Sequence, residues 1–304
     1  IQRFGSVQIW KFIAFYCLTG DILNVSNNLT NTKYKIMSNQ EKINKDGWIL
    51  IKNVFTKEEI NKFREYVKKN KEHKGDLLSA DLLKGILIDE RILSIFKESL
   101  GSDNLYYFGD SSVSYNSVGN GFHKDSRDRK NKNSSEFTDE NYSLLRLGIY
   151  LQDHSKHSKG LCLRSKSHLF PTTEKGKIIN VKSEIGDVVI WKLTTTHSAN
   201  ADIISLIPGI SLHPRIARRF PSFMKQKAID PRIALFMTFG VKDDYSFSYI
   251  SYLKTRQYAI DRWIKTKYND ELIRELKNKN VEVYNDFDTT KIIESEVSVE
   301  HKQP

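Results

Sequence analysis

The stretch EIGDVVIWKLTTTHSAN, residues 184–200, is the part of the sequence that points most directly to a fold. Gly186 and Asp187 form a predicted turn, and the apolar run from Val188 to Trp191 predicts a buried strand. His197 follows directly after that strand. A barrel-like structure would deliver such a histidine across its mouth, so we expect His197 to meet side chains from other strands there.

Short β-rich runs separated by polar breaks lie on both sides of this stretch. Their spacing is typical of an antiparallel sandwich or barrel rather than of alternating strands and helices. The sequence therefore predicts a mainly β fold, and its predicted strand regions are LYYFGDSSVSYNSV (105–118), YSLLRLGIYLQD (142–153), LCLRSKSH (161–168), KIINVKSEIGDVVIWK (177–192) and RIALFMTFG (232–240).

Helical patterns flank the β-rich region. DGWILIKNVFTKEEINKFREYVKKNK, residues 46–71, predicts a short strand, a turn and a helix that begins at the capping box of Thr56 and Glu59. DERILSIFKESLG predicts a second helix that ends at Gly101. A third helical region covers 249–280. We expect the first two helices to cover the β structure.

Composition limits the classes of function. The 304 residues carry a net charge of +11, but lysines are scattered among Asn, Ser and Glu, and no RNP, zinc-finger or basic-helix pattern appears. This disfavours a nucleic-acid partner, whereas an anionic small-molecule substrate suits the charge. Two cysteines, Cys17 and Cys162, provide no disulfide framework, which indicates a reducing compartment and a cytoplasmic location.

The chain divides into three predicted regions. Residues 1–36 precede the first methionine, Met37, and are expected to be a non-native or disordered extension that is dispensable for folding. Within them, IWKFIAFYCL is too short and too interrupted for a membrane span, and no clear signal-peptide cleavage site follows it. Residues 37–285 form one predicted domain that includes the C-terminal helices, and 286–304 a flexible tail. The sequence leaves the oligomeric state open.

Two possible metal ligands lie in NGFHKDSRD, residues 120–128. His123 and Asp125 are one residue apart, so on an extended strand both side chains point to the same face. Alone, such a pair is more often polar loop sequence than a metal site. With His197 it makes two histidines and one carboxylate on neighbouring strands, the facial triad that holds non-haem Fe(II) and leaves three positions open.

A bidentate 2-oxo acid on such an iron needs a cationic anchor for its far carboxylate. Arginine offers a planar fork of donors where lysine offers a point charge. Arg232 opens the predicted strand RIALFMTFG and is the best candidate. Its rivals Arg215, Arg218 and Arg219 lie in the preceding long segment, LIPGISLHPRIARRFPSFMKQKAIDP (206–231). That segment is a predicted functional loop, and its RIARRF run fits either a phosphate- or CoA-binding patch or a solvated basic loop.

These motifs, in this order, resemble the phytanoyl-CoA dioxygenase family of Fe(II)- and 2-oxoglutarate-dependent oxygenases. The resemblance covers most of 40–245 through DGWILIKNVFTKEEINKFREYV, FHKD, LGIYLQD, GLCLRSKSH and GDVVIWKLTTTHSAN. It implies a double-stranded β-helix, the jelly roll of cupin-like proteins. It also implies iron bound by His123, Asp125 and His197, with 2-oxoglutarate held by Arg232.

The chain departs from the family pattern in two places. The oxoacid arginine usually follows the distal histidine more closely, so the separation of His197 from Arg232 requires the intervening segment to loop out. The usual PGSH is SKSH here, with Lys166 in place of the glycine. His168 in that turn is expected to be a structural, hydrogen-bonding histidine rather than a ligand.

The resemblance implies oxidation of a small or carrier-bound metabolite, with O₂ as oxidant and succinate and CO₂ as products. Related halogenases replace the carboxylate ligand with a small residue, whereas this chain keeps Asp125, which favours hydroxylation. The alternative is a jelly-roll binding protein that keeps the ligands without catalysis. Members of the family act on acyl-CoA esters, amino-acid derivatives and natural products, so the substrate stays open.

Overall fold

The computed structural model describes residues 37–285 except 74, 118, 120, 127–130 and 132, so the predictions for 1–36 and 286–304 fall outside it. The nine described strands form a sheet of six and a sheet of three. The larger sheet has the order β1-β6-β3-β8-β2-β9 and the smaller the order β5-β4-β7. Their bounds are β1 Trp48–Ile51, β2 Leu105–Tyr115, β3 Leu145–Tyr150, β4 Gly160–Ser165, β5 Lys177–Asn180, β6 Val188–Lys192, β7 His197–Ala201, β8 Ile233–Gly240 and β9 Val281–Val283.

The two sheets make the predicted mainly β jelly roll with flanking helices. All neighbouring strands are antiparallel except β2 and β9, which run parallel. The eight α-helices of the described residues are α1 Asn39–Asp46, α2 Lys57–Lys69, α3 Lys84–Leu87, α4 Glu90–Leu100, α5 Pro214–Ala217, α6 Asp244–Leu253, α7 Gln257–Lys265 and α8 Asp270–Asn278.

Alternation along the central strands gives the larger sheet two different faces. On β8, Leu235 and Met237 belong to the core beneath the helices, whereas Ala234 packs in a separate cluster with residues of the smaller sheet. On β3, Leu147 joins the helix-side core, and Arg146 lines a cavity on the opposite face. One face of the sheet is therefore structural, and the other is available for a site.

The predicted helices cover the structural face. The Thr56 hydroxyl accepts a hydrogen bond from the Glu59 N–H, and the Glu59 carboxylate accepts one from the Thr56 N–H, so the capping box forms as expected. Gly101 ends α4 in the left-handed conformation. Ile60 of α2 and Phe96 of α4 are fully buried in the same core as the strands.

The predicted turn before β6 forms and is sterically demanding. Gly186 has φ +96°, and a Cβ atom there would lie 2.1 Å from the Phe55 carbonyl oxygen. The buried Asp187 carboxylate accepts hydrogen bonds from the N–H groups of Asn53 and Glu184. This turn therefore joins β6 to the chain that leads into α2.

Three features differ from the sequence prediction. His197 does not simply follow β6 but begins a strand of its own, β7. The C-terminal region adds β9, which pairs with β2 through Leu105 and Val281. The segment 206–231 is not an open loop, because it contains α5 and a short 3₁₀ helix over Ser222–Met224. Within the described residues, no helix has the length and apolar character needed to cross a bilayer.

Candidate metal centre

Backbone hydrogen bonds bring the three predicted ligands together. The His123 N–H donates to the His197 carbonyl at 3.0 Å, and the His197 N–H donates to the His123 carbonyl at 2.9 Å. The Asp125 N–H donates to the Leu193 carbonyl at 3.1 Å. One possible ligand atom of each of His123, Asp125 and His197 lies within 4.8 Å of the other two. The short ladder next to β7 therefore creates a cluster from positions 74 residues apart.

Both imidazoles present the same nitrogen to the cluster. His123 Nδ1 lies 3.3 Å from the Gly121 carbonyl oxygen, and His197 Nδ1 lies 3.1 Å from that of Thr195. A carbonyl oxygen only accepts, so each Nδ1 carries the proton and each Nε2 keeps a free lone pair. These Nε2 atoms lie 3.7 Å and 3.4 Å from the nearer oxygens of Asp125.

The protonation states suit metal ligation at neutral pH. Burial alone would raise the pKa of Asp125, but the positive charge of Arg146, together with the neighbouring imidazoles of His197 and His123, outweighs it and holds the pKa at about 2. Burial lowers the pKa of His197 to about 4. The site thus offers an ionised carboxylate and a neutral imidazole without first losing a proton.

Arg146, on β3, holds the carboxylate of Asp125 from the side. Its Nη1 lies 2.6 Å from Asp125 Oδ2, and its Nη2 lies 2.7 Å from Asp110 Oδ2. Its Nε donates to the Thr238 hydroxyl at 3.1 Å. Burial opposes the charge of Arg146, but the two carboxylates raise its pKa well above the ordinary value. The Arg146 guanidinium therefore has a fixed position between β2, β8 and the candidate ligand Asp125.

Asp110, on β2, extends this network to the C-terminal helices. It accepts hydrogen bonds from Arg262 of α7 at 2.5 Å and from the Tyr249 hydroxyl of α6 at 2.7 Å. Burial would raise the pKa of Asp110, but Arg146 and Arg262 lower it well below the ordinary value. The sequence analysis did not identify this chain of charges. The sequence feature that could have indicated it is a charged residue within each of two predicted strands, Asp110 and Arg146.

A cavity of about 400 Å³ opens on the cluster from the inner face of the larger sheet. Arg146 and Asp110 line it beside the three candidate ligands, and Tyr252, Tyr258 and Arg262 line it from the C-terminal helices. Trp191, which was expected to be core, is buried and also forms part of this wall. The helices after β8 thus help to build the site.

Arg232 lies in the wall of the same cavity, immediately before β8, and is only 4% exposed. Its Nε donates to the Lys159 carbonyl at 2.8 Å, its Nη1 donates to the Ser117 carbonyl at 2.9 Å, and its guanidinium lies 5.5 Å from the centre of the Tyr150 ring. Its Nη2 is buried without a hydrogen bond of good geometry within the described residues, and the Tyr150 side chain interacts with the guanidinium. Burial lowers the pKa of Arg232. A buried guanidinium with an unused donor is a ready partner for a carboxylate.

The rival arginines lie elsewhere. Arg215, Arg218 and Arg219 are exposed and do not line the cavity. The folded segment 206–231 does loop out between β7 and β8, as the position of Arg232 requires. His168 is buried, and its Nε2 lies 2.9 Å from the Asn44 carbonyl oxygen, which is the hydrogen-bonding position expected for it.

The SKSH turn contacts the segment that carries the candidate ligands His123 and Asp125. Lys124, between the two candidate ligands of FHKD, donates to the Ser167 carbonyl at 2.8 Å and to the Thr194 carbonyl. The Ser167 hydroxyl accepts a hydrogen bond from the Thr196 N–H at 2.8 Å. Lys166 takes the left-handed conformation, φ +66°, in the position where the family that the sequence resembles has glycine. The substitution is therefore accommodated without loss of the turn.

Comparison with known proteins finds similar solved structures but no matching family. No family model matches the chain, and no curated protein matches it. Among solved structures, it is similar to the non-heme alpha-ketoglutarate-dependent epimerase SnoN from nogalamycin biosynthesis, at 16% identity over 66% of this chain and 80% of that chain, with TM-score 0.45. It is also similar to EctD from S. alaskensis, at 14% identity over 71% and 81%, with TM-score 0.46.

A third similar structure is HygX from Streptomyces hygroscopicus with nickel and 2-oxoglutarate bound. Its identity is 15% over 66% of this chain and 84% of that chain, with TM-score 0.44. At these identities and scores, the chemistry of this chain has to be inferred from its own side chains.

Proposed function

We propose that the protein is an Fe(II)- and 2-oxoglutarate-dependent oxygenase that hydroxylates a small or carrier-bound metabolite. One observation carries the proposal. Three acceptor atoms, the Nε2 atoms of His123 and His197 and an oxygen of Asp125, converge within 4.8 Å, while both imidazole protons are committed to backbone carbonyls. Lone pairs that face one another without a proton are stabilised by a cation between them.

The donor set fits non-haem iron and differs from that of structural zinc or calcium sites. Two imidazoles and one carboxylate are the ligands typical of non-haem Fe(II) sites with open positions. Structural zinc sites have four protein ligands, and calcium prefers six or more oxygens, whereas this cluster has three ligands of mixed type. The remaining positions would face the cavity. When bound there, ferrous iron with 2-oxoglutarate and O₂ supplies the oxidising power that the side chains themselves lack.

The role proposed for Arg232 is to bind the far carboxylate of 2-oxoglutarate. Three of its donors already fix the guanidinium to the backbone of Lys159 and Ser117 and to the Ser114 hydroxyl, so its orientation does not depend on a ligand. The unused Nη2 donor and the net positive charge then favour an anion. A preorganised guanidinium loses little conformational entropy on binding, which suits an obligatory co-substrate.

The other end of the cavity is proposed to orient the primary substrate. Tyr252 and Tyr258 from the C-terminal helices and Ser112 from β2 provide hydroxyl groups there, and Arg262 is held by Asp110. Burial raises the pKa of Tyr258 above the ordinary value, so it acts as a neutral hydrogen-bonding group. The tyrosine rings also help to exclude water from the reacting C–H bond. A small molecule with polar groups fits a cavity of about 400 Å³.

The test is oxygen-dependent formation of succinate by the protein loaded anaerobically with Fe(II) and 2-oxoglutarate. We expect turnover that requires all three components, and we expect alanine at His123, Asp125 or His197 to remove both metal binding and turnover. Asp103→Ala, which removes an exposed carboxylate, is the matched control. Metal content equal to the parent in Asp125→Ala would contradict the metal site. Normal metal and 2-oxoglutarate binding without succinate, across a screen of metabolite extracts, would favour the non-catalytic binding protein.

A further inference from the structure

The segment 203–229, between β7 and β8, has an unusual composition for a surface segment. It contains five basic residues and no aspartate or glutamate, in a chain that has 37 acidic residues in total. Nine large hydrophobic side chains are exposed among the described residues, and four of them fall in this segment. They are Leu206 at 76%, Ile210 at 54%, Ile216 at 52% and Phe223 at 84% exposure.

This segment has a defined local fold. Ile204 forms an antiparallel bridge with Lys225, and the Ser205 N–H donates to the Met224 carbonyl at 2.8 Å. These contacts bring the chain positions of Leu206 and Phe223 next to each other. Lys225 also donates to the Arg218 carbonyl at 3.1 Å, which ties in the residues that follow α5. The exposed apolar groups are therefore held at the surface by a folded scaffold and do not simply trail from a loop.

The guanidinium groups of the segment have no partner to neutralise them within the described residues. Arg215, Arg218 and Arg219 are exposed and make no side-chain hydrogen bond or ion pair there. Two acidic residues near the segment pair with other side chains: Asp202 is buried and pairs with Lys159 and Lys225, and Glu174 pairs with Arg164. The segment thus combines free positive charge with protruding apolar side chains.

From this combination we infer that the segment docks the protein on an anionic lipid surface. We use the name insertion surface for a set of exposed side chains in this segment: Leu206, Ile210, Ile216, Phe223, Arg215, Arg218 and Arg219. Guanidinium groups pair with lipid phosphates and carboxylates, while the apolar side chains enter the boundary between headgroups and acyl chains. Each basic residue near such a surface contributes about 1 kcal/mol.

A lipid surface fits these side chains better than a protein does. Phe223 and Leu206 protrude with most of their surface in water and would need a matching pocket on a protein partner. A fluid bilayer accepts protruding apolar groups without a preformed pocket, and its anionic headgroups complement the unpaired guanidiniums. Peripheral docking also requires no membrane-spanning helix, in agreement with the described fold.

The test measures co-sedimentation of the full chain with vesicles of phosphatidylcholine alone or mixed with phosphatidylserine. The parent should bind only the mixed vesicles, and binding should weaken with added salt. Phe223→Ser and the double change Arg218→Glu, Arg219→Glu should each lower the partition coefficient about tenfold or more, since both remove a share of the apolar or ionic contact. Folding of each variant is checked by its thermal unfolding.

Matched controls separate a specific surface from general basicity. Phe247→Ser removes an exposed phenylalanine on α6, and the double change Lys62→Glu, Lys69→Glu reverses two exposed charges on α2. Both controls should bind as the parent does. No binding by the parent, or an equal loss in the controls, would overturn the inference. So would a concentration-dependent dimer that Phe223→Ser dissociates, because the surface would then join two copies of the chain. The assay uses neither metal nor 2-oxoglutarate, so its result is independent of the proposed function.

Discussion

Arg146 Nη1 lies 2.6 Å from Asp125 Oδ2, so a cation from β3 holds one oxygen of a carboxylate that also lies 3.4 Å and 3.7 Å from the imidazoles of His197 and His123. The same guanidinium contacts Asp110 and Thr238, which fixes its plane. A carboxylate held in this way has a restricted orientation toward a metal at the cluster. Partners of this kind orient metal ligands, and their loss weakens metal binding.

We predict that Arg146→Lys weakens metal binding about ten- to a hundredfold, the range typical for loss of such a partner. Lysine keeps the positive charge but cannot reach Asp125, Asp110 and Thr238 at once, so the change isolates the effect of the planar fork. Calorimetric titration with Ni(II) measures the affinity without turnover. Arg274→Lys, at an exposed position of α8, is the control. An affinity of Arg146→Lys equal to that of the parent would rule out the positioning role.

For Arg232 we predict a selective effect on the co-substrate. Arg232→Lys should raise the 2-oxoglutarate concentration needed for half-maximal succinate formation about thirtyfold or more. A lysine ammonium cannot keep both the backbone contacts of the guanidinium and its charge-assisted hydrogen bond to the carboxylate, and losing a buried pair of that kind costs about 2–5 kcal/mol. Metal affinity should change little, since Arg232 makes no contact with the ligands. Lysine substitutions at Arg215, Arg218 and Arg219 should leave this requirement unchanged. A large rise in the 2-oxoglutarate requirement of one of them, with none in Arg232→Lys, would assign the anchor role to the segment 206–231.

The elements that could be predicted from sequence are those with a local physical cause. A capping box starts α2, a left-handed glycine ends α4, and alternating apolar residues make the central strands. The strand β7 was missed because its sequence, HSANA, is polar and small. It is nevertheless largely buried, since it pairs with β4 and carries a candidate ligand. Hydrophobic periodicity does not detect a strand whose inner face belongs to a site.

The candidate ligands could be proposed from spacing, but the charges around them could not. Arg146 and Asp110 lie 36 residues apart, and Arg262 lies 116 residues beyond Arg146. They meet only because β2 and β3 are both neighbours of β8 and α7 packs across one end of the cavity. Contacts of this kind are set by topology, and no local pattern in the sequence encodes them.

The turn at Gly186 leads to a prediction about stability. Gly186→Ala should reduce the free energy of unfolding by about 1–3 kcal/mol, because a left-handed backbone strains any residue with a Cβ atom. The new atom would also press on the Phe55 carbonyl oxygen at 2.1 Å, which adds to the loss. Gly85→Ala, in α3 with no atom within 4 Å of the new Cβ, should be neutral or slightly stabilising. Denaturant unfolding compares the two, and equal stability would contradict the strain.

The environment of the buried His168 leads to a prediction about how the free energy of unfolding depends on pH. Its Nε2 faces the Asn44 carbonyl and carries the proton, while its Nδ1 is buried without a hydrogen-bond partner, so a second proton there would be unpaired. Burial accordingly lowers its pKa to about 4, from 6.5. In the unfolded chain His168 is protonated below about pH 6.5, whereas in the folded chain it is protonated only below about pH 4. The free energy of unfolding must therefore fall as the pH is lowered from 6.5 to 4.

The loss due to His168 amounts to at most about 3 kcal/mol, the free-energy equivalent of that difference in pKa. His168→Gln cannot titrate, so we expect it to have lower stability at neutral pH but a shallower decline between pH 6.5 and pH 4. His154 is buried with a pKa also lowered to about 4, and His154→Gln should reduce the slope by a similar and independent amount. Denaturant unfolding across the pH series measures both slopes. A decline in His168→Gln as steep as in the parent would mean that His168 takes up its proton in the folded state as readily as in the unfolded chain.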